Sequence, residues 1–111
     1  MITVVRRDLS HGYQTAQTGH AIVEWAYMNG RTFRQWRKTS GYLICLSVRN
    51  KEELSELMKT LGDSKIKYTS FFEPDIGEIT AIAISPSVKA DSLTKKLQLA
   101  NIKAGNKDKN T

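Results

Sequence analysis

The sequence has a single cysteine, Cys45, among its 111 residues. One thiol can form neither an intramolecular disulfide nor a cysteine-based zinc site, so both kinds of stabilisation are excluded within the chain. Cys45 lies in the alternating segment Tyr42-Leu43-Ile44-Cys45-Leu46, and this pattern favours a packed thiol over a nucleophile. We therefore expect a protein of a reducing compartment.

The sequence also lacks an apolar run of the length that a membrane helix requires, which is about 20 residues. Its first apolar segment, Ile2 to Val5, stops at Arg6 and Arg7, well before the length of a signal-peptide core. This pattern predicts a cytoplasmic protein without a membrane partner.

Candidate metal ligands are scarce. The only two histidines are His11 and His20, and the carboxylates are scattered along the chain. No group of these residues has the spacing of a metal site, so we expect neither a metal ion nor another cofactor.

Positive charge, in contrast, is abundant. The chain has 17 Lys and Arg against 11 Asp and Glu, for a formal net charge of +6, which favours a polyanionic partner. Its length predicts one compact domain. Because the residues after Ile102 show no apolar periodicity, we expect the domain to span 1–102 and a disordered basic tail to span 103–111.

The hydrophobic pattern predicts four strands and four helices. The predicted strands are Ile2–Arg6, Tyr42–Val48, Lys67–Phe72 and Ile79–Ser85, and the predicted helices run from about Tyr13 to Asn29-Gly30, from Arg31 to Lys38, from the cap Asn50 to Gly62 and from Val88 to Leu99. Six residues between the last two strands require antiparallel pairing, whereas the first two strands have room for a right-handed parallel crossover. We expect an α/β fold, a mixed four-stranded sheet with helices on both faces. The residues expected to face the sheet at the last helix are Val88, Leu93, Leu97 and Ala100.

Two separated motifs are informative: the first concentrates polar groups where a small domain normally places packing residues, and the second is a Thr followed by alternating apolar residues and a closing Pro. The first contains Arg6-Arg7-Asp8-Leu9, Gly12 and Ala16-Gln17-Thr18-Gly19-His20-Ala21, and the second is Gly77-Glu78-Ile79-Thr80-Ala81-Ile82-Ala83-Ile84-Ser85-Pro86. In this order they resemble the opening and the last strand of the second type of peptidyl-tRNA hydrolase. The resemblance covers roughly Ile2 to Gln98 and implies the same fold.

The first motif contains three candidate catalytic residues, Asp8, Gln17 and His20. Gln17 and His20 are three residues apart on one helix face, near the C-terminal end of the first strand, where open α/β sheets form their ligand crevice. Spacing alone also permits Asp8 to cap the turn, Gln17 to lie in solvent and His20 to be an ordinary helix histidine. The resemblance implies instead that all three belong to the active site.

The second candidate group follows from the three carboxylates of segment 73–78. Pro74-Asp75-Ile76-Gly77 is ordinary turn chemistry, so a solvated hairpin loop is one interpretation. The resemblance implies that Asp75 and Thr80 line the active site, because the family has an Asp in this loop and a Thr in the last strand.

The first motif departs from the family at the start of the helix, where the family usually has a Gly-Lys pair whose lysine is proposed to be catalytic. Here the segment reads Gly12-Tyr13-Gln14-Thr15, and no lysine precedes Lys38. Either Gln14 takes the place of the lysine, or the site relies on Arg6, Arg7 or His11 for positive charge.

No acid lies between Glu24 and Glu52. The cations of this window, with Arg7, are candidate RNA contacts because cations neutralise phosphates and aromatic faces stack on unpaired bases. The proposed RNA-binding residues are Arg7, Arg31, Arg34, Trp36, Arg37 and Lys38. The alternative is a polar helix whose aromatics pack inward and whose arginines are solvated.

The resemblance implies hydrolysis of the ester bond of peptidyl-tRNA, which releases the peptide and returns the tRNA for translation. A second hypothesis is a non-catalytic tRNA-binding or RNA-binding module on the same scaffold, and a third is a protein-interaction adaptor. Both a monomer and a homodimer are compatible with the sequence.

Overall fold

A computed structural model describes residues 1–100. The end of the domain predicted at Ile102 and the predicted tail over 103–111 lie outside the described residues. The strands are β1 (Ile2–Arg6), β2 (Ile44–Val48), β3 (Tyr68–Glu73), β4 (Glu78–Ile84) and β5 (Gln98–Leu99), and the helices are α1 (His11–Met28), α2 (Gly30–Lys38), α3 (Lys51–Asp63) and α4 (Val88–Thr94). They form one compact α/β domain.

The strands form one mixed sheet in the order β3-β4-β1-β2-β5. β1 and β2 are parallel, with Val4 beside Leu46, and β3 and β4 are antiparallel. Both pairings confirm the sequence predictions. The predicted number of strands is wrong by one, because β5 adds a short antiparallel strand to the outer edge of β2.

The last predicted helix is too long, since α4 ends at Thr94 instead of Leu99. The chain then turns, and Gln98–Leu99 satisfies backbone groups of β2 that otherwise lie at an open edge. The predicted inward face is wrong at Val88 and Leu93, which are 87% and 39% exposed, whereas Ala90 is buried. Leu97 and Ala100, which follow the end of α4, do pack against the buried cores.

Helices cover both faces of the sheet, as the sequence predicts. The α3 and α4 face has a core that includes Val4, Leu54 and Leu61. The α1 and α2 face has a second core built around Trp25, which is fully buried and donates its indole N–H to Ser85 Oγ over 2.9 Å. Within the described residues 1–100, no helix combines the length and the apolar character needed to cross a membrane.

Backbone direction places the turns that carry polar residues at one end of the sheet. β1 and β2 end there, the β3–β4 hairpin turns there, and α1 and α3 begin there. Ser10 and Asn50 cap these two helices by accepting hydrogen bonds from Tyr13 N and Glu53 N. α1 then runs for 18 residues, about 27 Å, so α2 lies at the opposite end of the sheet.

Candidate active site

Three side chains form a buried hydrogen-bonded chain where α1 crosses β3 and β4. Gln17 Nε2 donates to Glu73 Oε1 over 2.8 Å, and Thr80 Oγ1 donates to Gln17 Oε1. Gln17 and Thr80 are 1% and 0% exposed, and Glu73 is 8% exposed. Because a side-chain amide has one acceptor end and one donor end, this arrangement fixes the orientation of Gln17 and directs its N–H group at a carboxylate.

The carboxylate of Glu73 is held in its ionised form. The hydrogen bond from Gln17, and then a second one from the backbone N–H of Asp75 to Glu73 Oε2 over 3.2 Å, lower the pKa of Glu73. Burial acts in the opposite direction, and the charge of His20 lowers the pKa further. The site therefore carries a fixed negative charge near an imidazole.

His20 lies on the same face of α1 as Gln17, one turn further along. Its ring stacks on Phe71 of β3, with centroids 4.8 Å apart and planes 18° apart. The residue is exposed to solvent. A solvent-accessible imidazole beside a fixed carboxylate has the chemistry of a general acid and base.

An irregularity in β4 directs Thr80 toward α1. Phe71 pairs with Ala81 and Phe72 pairs with Ile79, so Thr80 is an extra residue in the ladder. Ile79 packs on the α3 side and Ala81 on the α1 side, and the bulge turns Thr80 to the same side as Ala81, where it reaches Gln17. Bulges of this kind commonly re-aim a side chain near an active site.

Asp75 lies in the turn of the β3–β4 hairpin, and its residue is exposed. Its backbone N–H is bonded to Glu73, and Gly77 closes the turn by donating to Glu73 O over 2.7 Å with a φ of 77°. A positive φ at this position favours glycine. The turn thus presents Asp75 to solvent and buries the side chain of Glu73.

Asp8 belongs to a second polar network. Arg6 donates from Nε and Nη2 to both carboxylate oxygens of Asp8, over 3.1 and 2.9 Å, and from Nη1 to Glu78 Oε1 over 2.7 Å. Lys51 Nζ donates to the other oxygen of Glu78 over 2.8 Å. The contacts of Asp8 therefore orient Arg6, and its link to the Gln17 chain is indirect, through Arg6 Nη1 and Ile79 O at 3.4 Å.

Two side chains at the start of α1, Gln14 and Tyr13, differ in their contacts and exposure. Gln14 is 2% exposed and donates its amide to Leu9 O over 2.8 Å, which closes the connection between β1 and α1. Tyr13 is half-buried near the hairpin turn, and burial, followed by the charges of Glu73 and Asp75, raises the pKa of its phenol. Tyr13 is thus held as a neutral O–H group beside two carboxylates.

Sequence reasoning did not single out three members of these networks, Glu73, Glu78 and Lys51. Glu73 and Asp75 lie in the same acidic turn, and no local pattern distinguishes the buried one. The bulge is visible in the sequence. Ile82 and Ile84 are two residues apart, as strict alternation requires, but Ile79 and Ile82 are three residues apart. In the part of the chain that is described, no three His, Cys, Asp or Glu residues are grouped as metal ligands.

The basic residues of α2 form a separate surface. Arg31, Arg34, Arg37 and Lys38 are all exposed, and none of them forms an ion pair with a carboxylate of residues 1–100. This α2 surface lies at the end of the sheet opposite to Glu73. Trp36 is different, because its ring packs edge-on against Trp25 at 5.6 Å and its indole N–H donates to Tyr42 O over 2.8 Å.

The packing of Trp36 leads to a prediction. Replacing Trp36 with Ala should lower the melting temperature by about 10 °C or more, because it removes a ring that anchors α2 to the core. Replacing Trp36 with Phe should retain most of the stability and leave tRNA affinity unchanged. Thermal unfolding and a tRNA filter-binding assay measure the two effects. A stable W36A variant with weakened tRNA binding would instead make Trp36 a base-stacking residue.

Comparison with known proteins adds an independent finding. The family model described as Peptidyl-tRNA hydrolase PTH2 matches residues 1–100, which is the whole of the described domain. No curated protein shows a significant match to the chain. The match includes both motifs and both polar networks. On this evidence the chain belongs to the peptidyl-tRNA hydrolase PTH2 family.

Proposed function

We propose that this protein hydrolyses the ester bond of peptidyl-tRNA. The observation that carries the proposal is the buried chain from Thr80 through Gln17 to Glu73, which holds an ionised carboxylate near the exposed imidazole of His20. The family match supplies the substrate, because the family is one of peptidyl-tRNA hydrolases. A buried polar network whose members are hydrogen-bonded in this way holds its groups rigidly in place.

In the proposed reaction, His20 accepts a proton from a water molecule as that water attacks the ester carbonyl carbon. The carboxylate of Glu73 stabilises the imidazolium that forms, while Gln17 and Thr80 keep the carboxylate in place. The tetrahedral intermediate then breaks the bond to the ribose oxygen. This oxygen takes the proton from the imidazolium, so the products are tRNA with a free ribose hydroxyl and the carboxylic acid of the peptide, which then releases its proton to solvent.

Tyr13 is the proposed hydrogen-bond donor to the ester. The family usually has a lysine directly after the glycine at the start of the helix, and in this chain Tyr13 follows Gly12. A phenol that remains protonated can donate to the oxyanion or to the departing ribose oxygen. We assign Gln14 to the fold, since its amide is buried and bonded to Leu9 O. Asp75, in the exposed turn, is proposed to orient the attacking water.

Asp8 is proposed to act through Arg6. The guanidinium of Arg6 is fixed by Asp8 and Glu78, and it donates to Ile79 O, directly before Thr80. It thereby holds the start of β4 in the register that the bulge requires. Asp8 is then a positioning residue in this mechanism.

One observation favours a second candidate function, a tRNA-binding module without turnover. The two cations closest to the hairpin in these networks, Arg6 and Lys51, are each paired with carboxylates, and the family lysine is absent. Cations that are already paired with carboxylates stabilise the negative charge of a developing oxyanion less.

The experiment that separates the two functions measures release of a labelled N-blocked aminoacyl group from tRNA by the purified protein. The esterase proposal expects turnover well above spontaneous hydrolysis, with many ester bonds cleaved per protein molecule. Binding of the same tRNA without release of the label would establish the binding module.

The α2 surface provides a prediction about the tRNA. Replacing Arg31, Arg34 and Arg37 together with Gln should weaken tRNA binding and flatten its salt dependence, by about 0.7–0.9 in the log–log slope for each lost phosphate contact. Affinity is measured by fluorescence anisotropy at several salt concentrations.

The matched control replaces Lys59, Lys67 and Lys89, three exposed lysines outside α2, with Gln. This control removes the same net charge and should change the slope much less. Equal slopes in the two triple variants would show that α2 acts only through the net charge of the protein.

A further inference from the structure

A small basic cleft lies at the end of the sheet where β1 and β2 finish. It encloses about 190 Å³, and its polar lining includes Arg7, Ser47, Arg49, Glu53 and Lys96. In the strand order, the cleft lies on the side of β2 and β5, and the Glu73 chain lies on the side of β3 and β4. β1 and the start of α1 lie between them, so the cleft flanks the candidate active site.

The guanidinium of Arg7 is fixed in this cleft by the sheet. Its Nη1 donates to Ser47 Oγ over 3.3 Å and to Ser47 O over 3.4 Å, and its backbone N–H donates to Val48 O over 2.8 Å. Ser47 is fully buried, and its hydroxyl donates to Leu99 O over 3.1 Å. The short strand β5 therefore supports the residue that holds Arg7, and a side chain that is already held loses less conformational entropy when it binds a ligand.

The cleft carries more positive charge than it neutralises. Arg49 pairs with Glu53 over 3.0 Å, and the backbone N–H of Arg49 donates to the same carboxylate over 2.7 Å. Within residues 1–100, neither Arg7 nor Lys96 forms an ion pair. Three cations thus face one carboxylate, which leaves an excess of positive charge that can neutralise the single negative charge of a backbone phosphate.

We propose that the cleft of Arg7, Arg49 and Lys96 binds a backbone phosphate of the tRNA near its esterified 3′ end. The assignment rests on the proposed function, which brings that end to the neighbouring site. A fixed guanidinium matches a phosphate in geometry, and the lysine adds a point charge. Phosphate contacts of this kind set the register of the nucleic acid without reading its sequence, so the cleft positions the ester beside His20.

The test uses deacylated tRNA, which retains the phosphates but has no ester to cleave. Replacing Arg7 with Gln and, separately, Lys96 with Gln should each weaken binding by about threefold to tenfold and lower the salt slope by about 0.7–0.9. The control is Lys67→Gln, because Lys67 is exposed before β3 at the far end of the sheet. Circular dichroism checks the fold of R7Q, and the exposed Lys96 provides a variant with little structural risk.

Affinities and slopes of R7Q and K96Q equal to those of K67Q would overturn the cleft proposal. An acidic protein partner in place of RNA would give that same result. The proposed activity is tested independently by ester release. If R7Q and K96Q have reduced slopes while the wild-type protein cleaves nothing, the cleft is supported and the esterase is refuted. Normal turnover by the wild type, with unchanged KM and slopes in both variants, does the reverse.

Discussion

Replacing His20 with Ala is expected to lower kcat/KM for peptidyl-tRNA by at least tenfold, which corresponds to about 1.4 kcal/mol of transition-state stabilisation. The reason is that the proposed mechanism makes the imidazole of His20 the proton acceptor, near the ionised carboxylate of Glu73. The melting temperature should stay within a few degrees of wild type, since His20 is exposed and the contact of its ring is the stack on Phe71. Steady-state kinetics and thermal unfolding give the two values.

Two further measurements make the His20 prediction specific to proton transfer. Added imidazole should restore part of the activity of H20A, because the vacated position is open to solvent. Affinity for deacylated tRNA should be unchanged. If H20A unfolds, or if it cleaves normally, His20 is a structural residue and the mechanism proposed for it fails.

The second large effect concerns stability. Replacing Gln17 with Glu should destabilise the protein by about 3 kcal/mol at pH 7, because it places a second buried carboxylate against Glu73. The replaced group is the amide nitrogen that lies 2.8 Å from Glu73 Oε1. Two carboxylates at this distance share one proton, so the pKa of the pair rises in the folded state.

The pH dependence of this variant should be opposite to that of the wild type. In the wild type the folded-state pKa of Glu73 is lowered, so its contribution to stability is present above the unfolded pKa and is lost as the pH falls through the folded value. In Q17E the raised pKa means that stability is lost as the pH rises. Urea unfolding from pH 8 down to about pH 3, below the ordinary pKa of a glutamate, measures both slopes.

The control for this experiment is Gln17→Met, which removes both hydrogen bonds without adding charge. Q17M should also be less stable than wild type, but its loss should not increase steeply toward high pH. A Q17E protein as stable as wild type at pH 8 would mean that position 17 is open to water, contrary to its 1% exposure.

Local signals in the sequence identified most of the framework. A run of β-branched residues predicts β1, and alternating apolar residues predict β4. The cap Asn50, followed by leucines on one helix face, predicts α3. The short hairpin required antiparallel pairing, and the long crossover allowed a parallel pair. These features depend on neighbours in the chain, which is why pattern and spacing were sufficient to predict them.

The missed features depend on contacts between distant segments. β5 contains only two residues, and it exists because the edge of β2 offers unpaired backbone groups. The inward position of Glu73 depends on the register of the hairpin and on its meeting with Gln17, 56 residues away. An acidic turn of three carboxylates contains no local information about which of them will be buried.

The aromatic residues of α2 illustrate a third case. Trp25, Phe33 and Trp36 pack together, and they have the spacing of one stripe on a continuous helix. From the sequence, Trp36 among the cations is compatible with stacking on RNA bases and with inward packing, and in the structure its ring packs against Trp25. The cations beside it are exposed, as the sequence predicts, and their role in binding tRNA stays a prediction.

The extra residue in β4 has one more consequence. Without Thr80, the strand would read Ile79-Ala81-Ile82, which alternates regularly between the two faces of the sheet and pairs with β3 without interruption. Deleting this one residue is therefore expected to leave the hairpin intact, while Gln17 loses its hydroxyl partner. The proposed catalytic threonine is thus an insertion that the sheet does not need, so a single deletion is expected to separate the requirements of folding from those of the proposed activity.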